Sequence, residues 1–161
     1  AADDAGGIVL DYTPAINELE PNALRQSGAR LGKFSFQQFG RPDQSNDFPI
    51  VRLGDVMLMY AEAKMRAAGN WNDAEGLDAV NQIRSRAGVS AYSSITEAEF
   101  LAERGREMFQ ESSRRTDQIR FGVYNSGSWW EKTASPAHKS VFPIPFDVIQ
   151  SAPGYSQNAG Y

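Results

Sequence analysis

Between Phe48 and Gly122 the chain carries three helix-forming segments, each opened by a capping signal or a proline and closed at or near a glycine. That punctuation leaves little room for a sheet. The first segment, DFPIVRLGDVMLMYAEAKMRAAG, has Pro49 near its start, good helix formers through its middle and Gly69 as a C-terminal stop. Val56, Met57, Leu58, Met59, Tyr60, Ala61 and Ala63 are apolar on nearly every side, which predicts a buried helix over 50–68. Asn72, with Glu75 three residues on, reads as the N-cap of a second helix over 73–87 that stops at Gly88. Leu77, Val80 and Ile83, with Ala74 and Ala87, recur at three- and four-residue spacing and give this helix one packing face. The connection between the two is short, so an antiparallel pair is expected. Thr96 and Glu99 form a capping box for a third helix, expected as one element over 97–120. Its apolar stripe is Leu101, Met108, Ser112 and Ile119, with Phe109 at the edge, and Glu103, Glu107 and Arg114 fall on the opposite side. The fold class is therefore mainly α, with paired helices of tetratricopeptide type and long irregular loops, although the units are too few to define a solenoid by period alone.

Residues 1–47 read as a loop-rich N-terminal arm, distinct from 48–161. The arm contains one short alternation, Leu31, Lys33, Phe34 and Phe36, compatible with a strand, followed by the loop RPDQSND. The chain ends on VFPIPFDVIQSAPGYSQNAGY, where three prolines stiffen an apolar segment. Phe142, Ile144, Phe146, Val148 and Ile149 supply enough apolar surface to dock, so this tail is expected to lie as an extended strap across the helices.

The formal charge of −4 argues against general affinity for nucleic acid or anionic membrane. No apolar run approaches the ~18 residues of a membrane span. Cysteine is absent, which removes disulfides, thiolate metal sites and cysteine nucleophiles together. The opening AADDAGGIVL has neither the initiating methionine nor the basic and apolar regions of a signal peptide, so a piece of a longer product is expected.

Candidate catalytic groups all have simpler roles. Asp55 and Glu62 lie seven apart, hence on one helix face about 10.5 Å apart along the axis, whereas glycosidase carboxyl groups stand ~5–9.5 Å apart across a cleft. Arg52, three before Asp55, and Arg66, four after Glu62, offer both of them ion pairs. Glu103, Glu107 and Glu111 form a like-charge ladder that arginines 104, 106, 114 and 115 are placed to neutralise, a simpler reading than a metal site. His138, the only histidine, reads as a solvated loop residue. No nucleophile elbow or phosphate-binding glycine loop is present. The residues thus predict no enzyme, no cofactor and no metal.

What remains is aromatic. Tyr124, Trp129 and Trp130 lie in a Ser/Gly-rich loop with no helical stripe to explain them. Flat rings of this kind stack on the apolar faces of sugars, on bases or on partner side chains, and the three are the candidate carbohydrate-binding residues. The competing reading has them plugging a groove between the third helix and the strap. Trp71, at the turn between the first two helices, reads as packing.

The order of five stretches, SNDFPIVRLGDVMLMYAEA, AVNQIRSRAG, ERGREMFQESSRRTDQIRFG, VFPIPFDVI and QNAGY, resembles the C-terminal part of the SusD/RagB family of surface glycan-binding lipoproteins. Family members carry RxADxLLMYAEA, NxIRxRAG, ERxxEL…EGxRxxDLxRxG and PIP…QNPGY in this order, and the match runs over roughly Asn46–Tyr161. Gly54 stands where alanine is usual, Ser112 and Ser113 occupy the glycine region, and the tail lacks the asparagine-proline pair. The resemblance implies non-catalytic oligosaccharide binding at the cell outer membrane, in partnership with a SusC-like TonB-dependent transporter, the lipid anchor belonging to an upstream part. It carries over no sugar-contacting residue by motif. The other reading of the same helices is an interaction module that docks to the transporter without touching glycan.

Overall fold

A computed structural model describes residues 11–18, 20–29, 32–34 and 47–161. Two compact units divide between Asp47 and Phe48. In the first, Asn17 organises a loop: its Nδ2 donates to Asn22 O, and its Oδ1 accepts from the Leu24 N–H and the Ser27 hydroxyl. Thr13 and Ser27 form an isolated bridge beside it. Of the expected strand, Leu31 and Phe36 lie outside the described residues, as does most of the RPDQSND loop, while Lys33 and Phe34 form a bend.

The second unit holds α1 (Leu53–Ala68), α2 (Ala74–Arg86), α3 (Glu97–Glu107), α4 (Arg114–Arg120), a 3₁₀ turn (Ala137–Ser140) and α5 (Phe146–Ser151). It is mainly α. Helix α1 ends as its sequence demands: Gly69 takes the left-handed conformation, φ 59°, and the Asn70 N–H reaches back to Met65 O. The cap of α2 is Asp73, whose carboxylate accepts from the Gly76 N–H at 3.0 Å. Asn72, expected in that role, sits one residue early. Its side chain instead accepts from the Ile95 N–H at 2.7 Å and fastens the α2–α3 connection.

Helices α1 and α2 run antiparallel: Gly76 meets Met65 and Ala61, while Ala79 and Gln82 share a groove with Val56 and Met57. Gly76 permits the close crossing, since a Cβ there would lie 2.8 Å from Met65 Cγ and 3.1 Å from Ala61 O. The core is Leu58, Ala61 and Met65 of α1, Ala79, Val80 and Ile83 of α2, then Ile95, Phe100 and Met108. Trp71 packs against it as expected, its ring 5.4 Å from Phe100 and 5.7 Å from Phe121.

Three expectations are corrected. Helix α1 is not buried all round: Val56, Met59 and Tyr60 are 45–47% exposed, Val56 and Tyr60 along the open groove beside α2. The segment 97–120 is two helices, not one. Gln110 (φ 63°) and Ser112 (φ 61°) are left-handed, which a right-handed helix does not admit. The break allows Asp117 to fold back onto Arg104 and Arg114 to reach Leu101 O. Of the expected stripe, Leu101 and Met108 are buried, whereas Ser112 is exposed and Phe109 is 57% exposed.

The tail is the third. It is not extended throughout, since α5 lies inside it, and its phenylalanines are not buried: Phe142 and Phe146 are about 70% exposed. Polar contacts hold it. Gln157 exchanges hydrogen bonds with both backbone groups of Ile144, Asn158 donates to Phe142 O, and the Tyr161 hydroxyl donates to Val141 O. The terminal tyrosine is thus a clasp that closes the tail on itself.

Candidate functional site

The carboxylates that sequence spacing singles out are all taken up by arginines, several of them from other helices than expected. Glu62 accepts from Arg66 Nε at 2.8 Å, as predicted, and also from both Nε and Nη2 of Arg120 at 2.8 and 2.9 Å. Burial pushes its pKa up, but Arg120 and Arg66 overcome this and hold the carboxyl below the usual carboxylate range. Asp55 pairs with Arg104 (3.1 Å) and not with Arg52, which lies at the N-cap of α1 and turns instead to Glu107 and Glu111. Those two acids, Glu111 first, raise the Arg52 pKa.

The glutamate ladder is likewise dispersed. Glu103 meets Arg84 at 2.7 Å and Arg106 at 2.5 Å, and Glu107 meets Arg86 at 2.7 Å as well as Arg52. Of the four arginines expected to neutralise it, only Arg106 does so. Arg104 binds Asp55 and Asp117, Arg114 donates to Leu101 O, and Arg115 donates to the carbonyls of Lys139 and Ser140. The break after Glu107 rotates 114 and 115 away from the ladder. A carboxylate locked between guanidinium groups is a poor proton carrier, and this cluster reads as a clamp joining α1, α2, α3 and α4.

The aromatic loop is different. It leaves α4 at Phe121, and both Val123 N–H and Tyr124 N–H donate to Gln118 O, at 3.0 and 3.1 Å. Asn125 Nδ2 donates to Ser140 Oγ and Ala137 O, and Lys132 Nζ donates to Gly127 O and Thr133 O. These bonds hold the loop without a strand or a helix. Trp129 and Lys132 exchange N–H···O bonds of 3.1 and 2.6 Å, closing a two-residue turn at Trp130 and Glu131.

Trp130 stands at φ 28° in that turn, a backbone region where tight turns prefer glycine or asparagine. A bulky aromatic there costs of order 1–3 kcal/mol. Trp130 is 55% exposed and makes no ring or cation contact among the described residues. Trp129 is 53% exposed, with Lys132 Nζ 4.7 Å from its ring centroid. Neither tryptophan plugs a groove.

Tyr124 sits elsewhere. It is half-buried under the Arg115 guanidinium, 5.2 Å from its ring centroid, and lines a cleft of about 690 Å³ with Arg115, Lys132, Lys139, Phe142 and Tyr161. Neither tryptophan belongs to that wall. His138 is half-buried, not solvated, its ring edge-on to Tyr161 at 4.8 Å. The candidate site therefore has two parts: an exposed indole pair at a turn, and a cleft in which Tyr124 meets the tail. Sequence reasoning missed Arg115, Lys139, Phe142 and Tyr161 in the second part. The available signal was Lys139, which has no acidic residue within four positions on either side of it in the sequence.

Comparison with known proteins places this arrangement in context. The sequence model of the SusD family matches residues 19–161, which reaches upstream of the motifs into the arm. The chain is 33% identical over 124 residues to the starch-binding protein SusD of Bacteroides thetaiotaomicron, covering 71% of this chain and 22% of that protein. It is 34% identical over 96 residues to a SusD-like protein of Bacteroides ovatus, covering 53% of this chain and 18% of that one. A crystal structure of a SusD superfamily protein from Parabacteroides distasonis aligns with a TM-score of 0.47 at 31% identity, covering 67% of this chain and 26% of the other. The chain spans about a fifth of the length of the curated relatives it matches.

Proposed function

Because this chain belongs to the SusD family, we propose that it contributes a non-catalytic oligosaccharide contact at the bacterial outer-membrane surface, with Trp129, Trp130 and Tyr124 as the sugar-facing residues. Glycan held there passes to a SusC-like TonB-dependent transporter. The observation that carries the reading is Trp130: an indole half in solvent, at a strained turn position, with no ring or cation partner among the described residues. Strain kept at an exposed aromatic points to a role beyond folding. One ring stacked on one sugar contributes about 1 kcal/mol, so binding through this turn alone is weak, around millimolar.

Trp130→Gly tests it. Glycine relieves the positive φ but frees the unfolded chain, at a cost of about 0.5–1 kcal/mol. The thermal midpoint is therefore expected to stay level or rise slightly, while affinity for a maltooligosaccharide or another bound glycan falls about fivefold. A variant that melts early and binds unchanged would mean that the turn is structural.

A second reading, docking of the helices to the transporter without glycan contact, is favoured by the exposed stripe of α1. Leu53, Val56 and Tyr60 lie 45–73% exposed at three- and four-residue spacing. Tyr60→Lys separates the two readings: it abolishes transporter binding under the second and leaves glycan affinity unchanged under the first.

A further inference from the structure

The cations of the helical unit fall into two groups. Arg52, Lys64, Arg66, Arg84, Arg86, Arg104, Arg106 and Arg120 each pair with a carboxylate. Arg114, Arg115, Lys132 and Lys139 form no ion pair among the described residues, and the last three of these line the cleft beside the tail. In a chain of net charge −4 this is a local excess of positive charge. The wall answers three cations with one carboxylate side chain, that of Glu131.

The cations are held in place by contacts that leave their charge uncompensated. Arg115 spends one Nη on the carbonyls of Lys139 and Ser140, and its guanidinium lies 4.0 Å from the Phe142 ring centroid and 5.2 Å from that of Tyr124. Lys132 donates to two carbonyls, and Lys139 Nζ lies 4.8 Å from the Tyr161 ring centroid. Carbonyls and ring faces orient a cation without neutralising it. The cleft thus joins fixed positive charge to three aromatic rings, Tyr124, Phe142 and Tyr161, in a volume of about 690 Å³, room for two or three sugar rings.

We propose that this cleft receives an anionic saccharide, one bearing uronate carboxylates or sulfate esters, its sugar faces on Tyr124 and Phe142 and its charge toward Arg115, Lys132 and Lys139. The assignment rests on the glycan-binding reading above and narrows its ligand class. Neutral glycans satisfy the rings alone and leave the cations solvated.

The test is calorimetric titration of the 161-residue chain with a galacturonan trisaccharide and a hyaluronan tetrasaccharide, each as the free acid and as its methyl ester. At least one acid is expected to bind about tenfold more tightly than its ester, a difference that shrinks between about 20 and 200 mM salt. Lys139→Gln is expected to weaken the acid about threefold and leave the ester unchanged, and Lys139→Arg to retain the wild-type affinity. Acid and ester binding alike, with Trp130→Gly weakening both, would overturn the charge assignment and leave the glycan reading standing. Preference for the acid that Lys139→Gln does not reduce would overturn the placement in this cleft. Absence of binding by all four probes and by neutral maltooligosaccharides would overturn both.

Discussion

Asp117→Ala is expected to destabilise the helical unit by about 3–5 kcal/mol, the range for removing one partner from a buried ion pair. Asp117 is 1% exposed and shares its two oxygens between Arg104 Nε (3.0 Å) and Arg120 Nη2 (2.7 Å). Arg104 is itself 3% exposed and its Nη1 has no hydrogen-bond partner among the described residues, so loss of Asp117 leaves a buried guanidinium facing Asp55 alone. An exposed pair such as Lys64–Glu75 sets the contrast, since solvent and salt screen it and breaking it is expected to leave the unfolding midpoint nearly unchanged. Urea unfolding followed by circular dichroism measures both. A cost below about 1 kcal/mol for Asp117→Ala would mean that the clamp is solvated and does not join the helices.

Phe100→Ala is expected to cost as much by a different route, about 3–5 kcal/mol from lost burial and the cavity left behind. Phe100 is fully buried, and its ring lies 5.4 Å from Trp71 and 6.2 Å from Phe121. Removing it detaches α3 from the α1–α2 turn that carries Trp71. The emission of Trp71 should shift to the red in the folded variant, since water then reaches one face of the indole. The same substitution at Phe146, 70% exposed in the tail, provides the control, with an expected change within about 0.5 kcal/mol. Equal costs at the two positions would contradict the assigned core.

Both predictions depend on features the sequence displayed unequally. The α1–α2 pair was legible because Gly69 and the Leu77, Val80, Ile83 spacing are local signals that tertiary contacts reinforce. The capping box at Thr96 and Glu99 was legible for the same reason: its hydrogen bonds span three residues. The break at Gln110–Ser112 was hidden, because glutamine and serine do not announce a positive φ as glycine does. The family's glycine region at this position was the signal, and Ser112 masks it.

Ion-pair partners were read from helical spacing, which finds Arg66 for Glu62 but cannot find Arg120, 58 residues away. The tail was misjudged for a related reason. Its apolar side chains suggested docking, whereas its order comes from Gln157, Asn158 and Tyr161, polar groups whose acceptors lie 13 to 20 residues upstream. In the candidate site, the tryptophans were found because no stripe explained them. The cleft was not found, since it exists only where the tail returns to α4.

The most direct test of the central claim follows the three indole N–H resonances during titration of the ¹⁵N-labelled chain with oligosaccharide. Trp71, packed between Phe100 and Phe121, serves as the internal reference. Saturable shifts of the Trp129 and Trp130 resonances with Trp71 unmoved are the predicted result. Glycan binding that shifts Trp71, or that leaves Trp129 and Trp130 still, would contradict it.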